Sequence, residues 1–219
     1  MEARPYLREI SLRDNTEREQ QYPFSIPAIR EMGTITFHPD VTFFVGENGT
    51  GKSTLLEAIT VLCGLNAEGG SRNFRFSTRS SESELSGSLR MVRSFRRPRD
   101  SFFLRAESFF NVATQVDELD VAESYGGASL HEQSHGESVM SLLTERFRGD
   151  GLYIMDEPEA ALSPMRQLAM LRRMNQLVRQ NSQFIIATHS PILLGYPYCL
   201  ILQLDDHGLS KIEYEQTGH

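Results

Sequence analysis

The chain has 219 residues, 39% of them hydrophobic and 23% charged, with a formal net charge of −7. That length supports one large domain with a full core, and the acidic balance excludes a surface that coats nucleic acid through broad positive charge. No apolar run reaches the ~20 residues of a membrane span, and the N-terminal MEARPYLREISLRD is charged where a secretory leader is apolar, so the expectation is a cytoplasmic protein with no membrane insertion.

In chain order, residues 5–13 (PYLREISLR) alternate as a strand and residues 34–37 form a second, with Pro23 and Pro27 punctuating the loop between them. Short strands ahead of a buried one predict an antiparallel β-layer beside the main sheet. The apolar run Val41–Val45 then ends at Gly46. Gly46, Gly51, Lys52 and Ser53 follow at the spacing G-x-x-x-x-G-K-S, and Leu55, Ile59 and Leu62 recur at helical spacing. Each part has a physical task. The glycines let backbone N–H groups of Glu47, Asn48, Gly49, Thr50, Gly51, Lys52, Ser53 and Thr54 turn around a phosphate. The helix that begins near Gly51 points its positive dipole end at the same anion. Lys52 adds a mobile charge for the β- and γ-phosphates, and the Ser53 hydroxyl can ligate Mg²⁺. This stretch predicts a nucleoside triphosphate site.

Residues 64–87 are rich in Gly, Ser, Asn and Arg and read as an exposed connection. Residues 88–95 and 101–105 read as two strands joined by the turn at 96–100, a hairpin. From Arg72 to Arg105 nine arginines face three acids, a local excess of about +6 in an acidic protein. Alternation places Arg90 and Arg96 on one strand face and Arg93 on the other, with Arg97 and Arg99 at the corner. Two outcomes stand open: a solvated segment paired with acids elsewhere, or a contact to a phosphate backbone.

Residues 109–119 look helical, and Tyr125, Gly126 and Gly127 break the pattern. Gln133-Ser134-His135-Gly136-Glu137 opens a further helix with Val139, Leu142, Leu143 and Phe147 on one face, closed at residues 149–151. A short apolar strand then ends in Asp156-Glu157-Pro158. A long helix follows Pro164, with Leu168, Leu171, Met174 and Leu177 expected inward. The strand Gln183–Ala187 ends in Thr188-His189-Ser190, and two more strands finish the chain. Cys63 and Cys199 lie in apolar segments far apart, without the spacing of a disulfide framework or zinc site.

Three apolar strands thus end in polar residues: Gly46, Asp156-Glu157 and His189. In an open parallel sheet ligands bind beyond the carboxyl ends of the strands, so the three can converge. Asp156 suits a Mg²⁺ ligand, and Glu157 can polarise an attacking water. Ser134 with Glu137 three residues on is also the pattern of a helix-capping box.

Together these motifs resemble the nucleotide-binding heads of the ABC ATPase class. The stretch GENGTGKSTLLEAI is more similar to the RecF, SMC and Rad50 branch of DNA-maintenance ATPases than to transporter subunits. The resemblance implies an α/β P-loop NTPase of ABC-ATPase type over residues 1–219, as a single domain. It would have a mainly parallel core sheet flanked by helices, an N-terminal antiparallel β-layer, and a small helical lid at about residues 106–150. It implies ATP and Mg²⁺ as cofactors, with Lys52, Glu157 and His189 catalytic and Ser53 and Asp156 on the metal. The class carries a signature sequence before its carboxylate strand, where this chain has Ser134, Gly136 and Glu137; Gln133 and His135 depart from it. The D-loop resembles Glu159-Ala160-Ala161-Leu162-Ser163. Glu107, after FFLRA, is the positional candidate for the Q-loop and a further metal ligand; Gln115 lies further on. About a hundred residues separate Ser53 from Leu152, without heptads, so coiled-coil arms are not expected.

The leading function is an ATPase working as an ATP-sandwiched homodimer in DNA maintenance, repair or defence, with a nucleic acid or protein partner. The alternatives are the ATP-binding subunit of a transporter, an ATP-sensing switch module and, last, a small-molecule kinase, which leaves residues 134–137 unexplained.

Overall fold

In a computed structural model of the chain, residues 5–13, 21–71, 84–106 and 134–217 are described. The apolar run after Asp40 becomes β3 (Val41–Val45), buried along its whole length. Successive side chains leave a strand on opposite sides, and here both sides are core: Phe43 and Val45 join one cluster, Phe44 the other. That explains why the run shows no polar alternation.

Around β3 lies a seven-stranded sheet. Its other strands are β4 (Gly70–Ser71), β6 (Asp100–Arg105), β7 (Gly151–Asp156), β8 (Gln183–Ala187), β9 (Leu200–Asp205) and β10 (Gly208–Ile212). They stand in the order β10-β9-β3-β8-β7-β6-β4. The five central strands are parallel; β10 and β4 close the edges antiparallel. A second sheet uses β1 (Leu7–Leu12), β2 (Ile35–Thr36) and β5 (Leu89–Arg93), in the order β2-β1-β5, and is antiparallel throughout. The mainly parallel core and the N-terminal antiparallel layer are both as expected.

The P-loop helix α2 (Lys52–Leu62) packs Leu55, Leu56 and Ile59 between the two sheets, against Ile10, Leu89 and Ile185 among others. The opposite face of the main sheet receives α4 (His135–Ser141), which continues as a π turn over Leu142–Arg146, and α5 (Pro164–Arg179). Two short helices, α1 (Pro27–Arg30) and α3 (Glu84–Ser88), precede α4, and α6 (Pro191–Leu194) follows β8. No helix among the described residues is long and apolar enough to cross a membrane.

Two buried polar groups tie the layers. Gln183, at the start of β8, accepts from the Leu7 amide at 3.0 Å and donates to the Leu7 and His38 carbonyls at 2.9 and 3.1 Å. Tyr153 stacks on Phe147 with centroids 4.0 Å apart, and its hydroxyl receives the Arg148 amide at 2.6 Å and reaches Asp100 at 2.8 Å. Burial and the Asp100 carboxylate both push that phenol's pKa up, so it stays a neutral bridge.

The structure corrects four expectations. Strands β5 and β6 are not a hairpin: β5 pairs with β1 in the small sheet and β6 with β7 and β4 in the main one. The turn between them is a crossing from sheet to sheet, which alternation within each strand cannot reveal. Part of the 64–87 connection is ordered and buried, as β4 and as Leu85 of α3. Leu168 faces solvent at 50% exposure, while Met170, Met174, Leu177 and Val178 form the inward face of α5. The arginine at position 93 turns inward, its guanidinium donating to the Leu62 carbonyl at 2.5 Å. The helix at 109–119, its break at 125–127, Glu107, Gln115 and Gln133 lie outside the described residues. Of the expected lid, α4 and its π turn are the described part. Cys63 is buried and Cys199 half-buried, and neither forms a disulfide.

Candidate functional site

Strands β3, β8, β7 and β6 are consecutive neighbours, so their carboxyl ends present the P-loop, His189, Asp156-Glu157 and Arg105 along one sheet edge. The loop needs its glycines. At Gly46, with φ 146°, a Cβ would collide with the Leu204 carbonyl. Gly51 has φ 96°, and its Cβ would stand 2.9 Å from Ile26 Cγ2. Gly51 ends the loop in a left-handed turn and hands over directly to α2, leaving the first N–H groups of that helix facing the loop.

Lys52 folds back over the loop, its Nζ donating to the carbonyls of Gly46 at 2.7 Å and Glu47 at 2.8 Å. Burial lowers its pKa, while Glu157, Asp156 and Glu159 pull it back up. The Ser53 hydroxyl donates to Asp156 Oδ1 at 3.2 Å, across 103 residues of sequence. Thr54 turns the other way, to the Tyr22 hydroxyl at 3.1 Å, and Glu47, Asn48 and Gly49 form the exposed tip of the loop.

The residue after β7 is strained. Glu157 sits in the left-handed region at φ 49°, ψ 50°, a conformation that disfavours any side chain. It is held by its amide, which donates to the Ala187 carbonyl at 2.9 Å, and by Pro158 behind it. The consequence is an approach to the end of β8: Glu157 Oε1 lies 3.5 Å from His189 Nε2. That nitrogen is buried without a hydrogen-bond partner, as is Glu159 Oε2. The other Glu159 oxygen accepts the His189 amide at 2.6 Å. Ser190 caps α6 and donates to Gln167 of α5 at 2.5 Å, so the turn carrying His189 is fastened on both sides.

Two cavities flank the loop. One, about 450 Å³, is lined by Ser53, Arg105, His135, Asp156, Glu157 and Ala161. The other, about 490 Å³, is lined by Gly46, Glu47, Thr50, His189, Asp205 and His207. The residues fit a phosphate with a hard divalent cation. A hydroxyl and a carboxylate already face each other at Ser53 and Asp156, the oxygen donors Mg²⁺ takes. The orphaned His189 Nε2 supplies a polar atom in want of a partner.

Across the cavity, Glu137 accepts the amide and the hydroxyl of Ser134 at 3.0 and 2.6 Å, and the expected capping box is in place at the start of α4. Those bonds, with help from Arg166 at 3.2 Å, hold the Glu137 carboxyl below its ordinary range. Gly136 is the residue that lets α4 approach: a Cβ there would press on the Ala161 carbonyl and Arg166. The turn at residues 134–137 therefore rests on the turn that follows Glu157.

Sequence reasoning missed Arg105 and placed Glu159 only at the head of the D-loop, without its bond to the His189 amide. The rule that flagged Asp156 and His189, a polar residue closing an apolar strand, also marks Arg105 at the end of SFFLR.

Comparison with known proteins agrees with this fold. The family described as "AAA domain" matches residues 25–124. The one described as "AAA domain, putative AbiEii toxin, Type IV TA system" matches residues 110–195. No protein of curated function matches the sequence. The SMC head domain from Thermotoga maritima superposes with a TM-score of 0.52 at 15% identity, over 95% of this chain and 99% of that one. An SMC head bound to the C-winged helix domain of ScpA gives 0.52 at 13% identity, over 95% and 98%. A structure described as "a putative metal-chelate type ABC transporter" gives 0.53 at 16% identity, over 97% and 85%. At such identities the likeness is one of fold: this chain has the fold of a small ABC- or SMC-like ATPase head.

Proposed function

We propose that the chain binds ATP with Mg²⁺ in this site and hydrolyses it as an ATP-sandwiched homodimer, in the service of a nucleic-acid transaction. The observation that carries the reading is the convergence of the Ser53–Asp156 bond and the Glu157–His189 approach beside a glycine-turned P-loop. Ser53 and Asp156 would hold the Mg²⁺, which when bound neutralises phosphate charge. Lys52 exchanges two loop carbonyls for phosphate oxygens. Glu157 accepts the proton of the attacking water, with His189 Nε2 3.5 Å from its Oε1.

Dimerisation is supported by an uncovered face. Met165 and Leu168, one turn apart at the start of α5, are 74% and 50% exposed, and Arg166 between them pairs with Glu137 of the signature turn. A second copy would cover that face while its Ser134, Gly136 and Glu137 complete the site. In sizing experiments, Glu157→Gln with ATP is expected to run as a dimer, and adding Ser134→Arg to return it to monomer. Ser134 is exposed, so the arginine is tolerated in the fold. A monomer in every nucleotide state, with hydrolysis first order in protein, contradicts the reading.

The nucleic-acid part rests on the small sheet. Arg8, Arg13, Arg90, Arg96 and Arg97 are exposed and form no ion pair with another described residue, and Phe95, which adjoins Arg96 and Arg97 in the chain, is 75% exposed. Arg99 reaches Asp150 at a loose 3.8 Å, and Arg93 is set aside by its bond to Leu62. Exposed arginines and an exposed ring on one sheet and its following turn suit a phosphate backbone and a base face. Arg90/Arg96/Arg97→Ala is expected to weaken DNA or RNA binding and to leave basal ATPase unchanged. The log–log salt slope should shrink by about one for each phosphate that is no longer neutralised. Unchanged binding across a salt series would make the patch structural and point to a protein partner.

A further inference from the structure

Arg105 closes β6 and sets its guanidinium into the cavity between α2 and the end of β7. Its Nη1 lies 3.5 Å from Glu57 Oε2 and its Nε 3.8 Å from Asp156 Oδ2. Both distances exceed the roughly 2.7–2.9 Å of a tight charge-assisted bond. The side chain is 24% exposed. The guanidinium thus belongs to the lining of the cavity that Ser53, Asp156 and Glu157 share.

Charge defines what this cavity needs. Asp156, Glu157 and Glu159 lie close enough to Lys52 to act on its charge, and Glu57 adds a fourth carboxylate beside Arg105. Facing these acids, among the described residues, are the cations Lys52 and Arg105. A nucleoside triphosphate stays anionic even with its divalent cation, and its outer phosphate has to settle beside Asp156 and Glu157, where hydrolysis would occur. The amides at the start of α2 serve the inner phosphates. Lys52 is a point charge on a flexible stem, whereas a guanidinium offers a planar fork that matches two phosphate oxygens.

We propose that Arg105 is the second phosphate-binding cation of the site, supplied in cis from β6, and that it contacts the γ-phosphate and so separates triphosphate from diphosphate. The assignment rests on ATP being the ligand of this site. It adds a residue from a strand end that the loop-based motifs do not include.

Calorimetric titration of ATP and of ADP, each with and without Mg²⁺, into wild type, Arg105→Gln and Arg105→Lys tests it. Arg105→Gln is expected to lose about tenfold or more in ATP affinity, the worth of a charge-assisted contact, and about twofold at most for ADP. Arg105→Lys is expected to recover part of the ATP loss, with both variants melting near wild type. Equal losses for ATP and ADP, or no loss for either, overturn the assignment while the ATPase reading survives in the wild type. A wild type that binds neither nucleotide overturns the ATPase reading, and this one with it.

Discussion

Glu157→Gln is expected to keep ATP and Mg²⁺ binding and to slow hydrolysis by ~10²–10⁴-fold, the usual worth of a general base. The substitution changes one atom of a side chain whose backbone is already committed. Glu157 is held at φ 49° by its amide bond to Ala187 and by Pro158, and glutamine meets the same left-handed strain with the same Cβ. The fold has no reason to respond, and thermal melting checks that it does not. The chemistry does respond, because an amide cannot take a proton from water at neutral pH. The carboxylate is 44% exposed, so water reaches it, and its Oε1 lies 3.5 Å from His189. Calorimetry for binding and phosphate release for turnover separate the two effects. A variant that hydrolyses at the wild-type rate moves the base elsewhere, with His189 the first candidate.

Much of this site was legible because its parts obey local rules. A buried parallel strand, a glycine turn and a helix start are neighbours in sequence, so residues 41–62 declare the P-loop without reference to the rest of the chain. Asp156 and His189 are legible for a related reason: a polar residue that closes an apolar run lies at the strand end where ligands gather. What sequence could not supply was placement across long separations. Ser53 meets Asp156 over 103 residues, and only the strand order β3-β8-β7-β6 puts them side by side.

The misreadings share a physical cause as well. Strands β5 and β6 have the alternation and turn of a hairpin, yet pairing partners are chosen by tertiary packing, and the chain changes sheets between them. Leu168 lies on a helix whose apolar stripe is wide enough to be read with two phases; Met170 and Val178 carry the buried one. Its exposure then becomes informative, because an apolar side chain left uncovered on the helix that pairs with Glu137 is what the proposed dimer face would leave in the isolated chain. Arg93 alternates correctly with its neighbours, but its guanidinium finds the Leu62 carbonyl in the last turn of α2, a helix end that needs such a donor.

Lys52→Ala is expected to cost about 10²-fold or more in ATP affinity and to abolish turnover, if Lys52 makes charge-assisted contacts to two phosphates at ~1.5–3 kcal/mol each. The fold should tolerate the loss. Position 52 is the first residue of α2, where alanine is a strong helix former. The two carbonyls left behind, of Gly46 and Glu47, belong to a loop whose tip is open to water. Lysine itself is not at ease there, since burial lowers its pKa even with Glu157, Asp156 and Glu159 nearby. Removing a desolvated ammonium offsets part of the missing hydrogen bonding, so the melting temperature should move by only about 2–4 °C per kcal/mol of residual imbalance. The same desolvation is why the lysine matters to the ligand: an ammonium turned away from water binds phosphate without first shedding a full hydration shell. Equal ATP affinity for variant and wild type by calorimetry would place the triphosphate away from this loop and refute the assignment of the site.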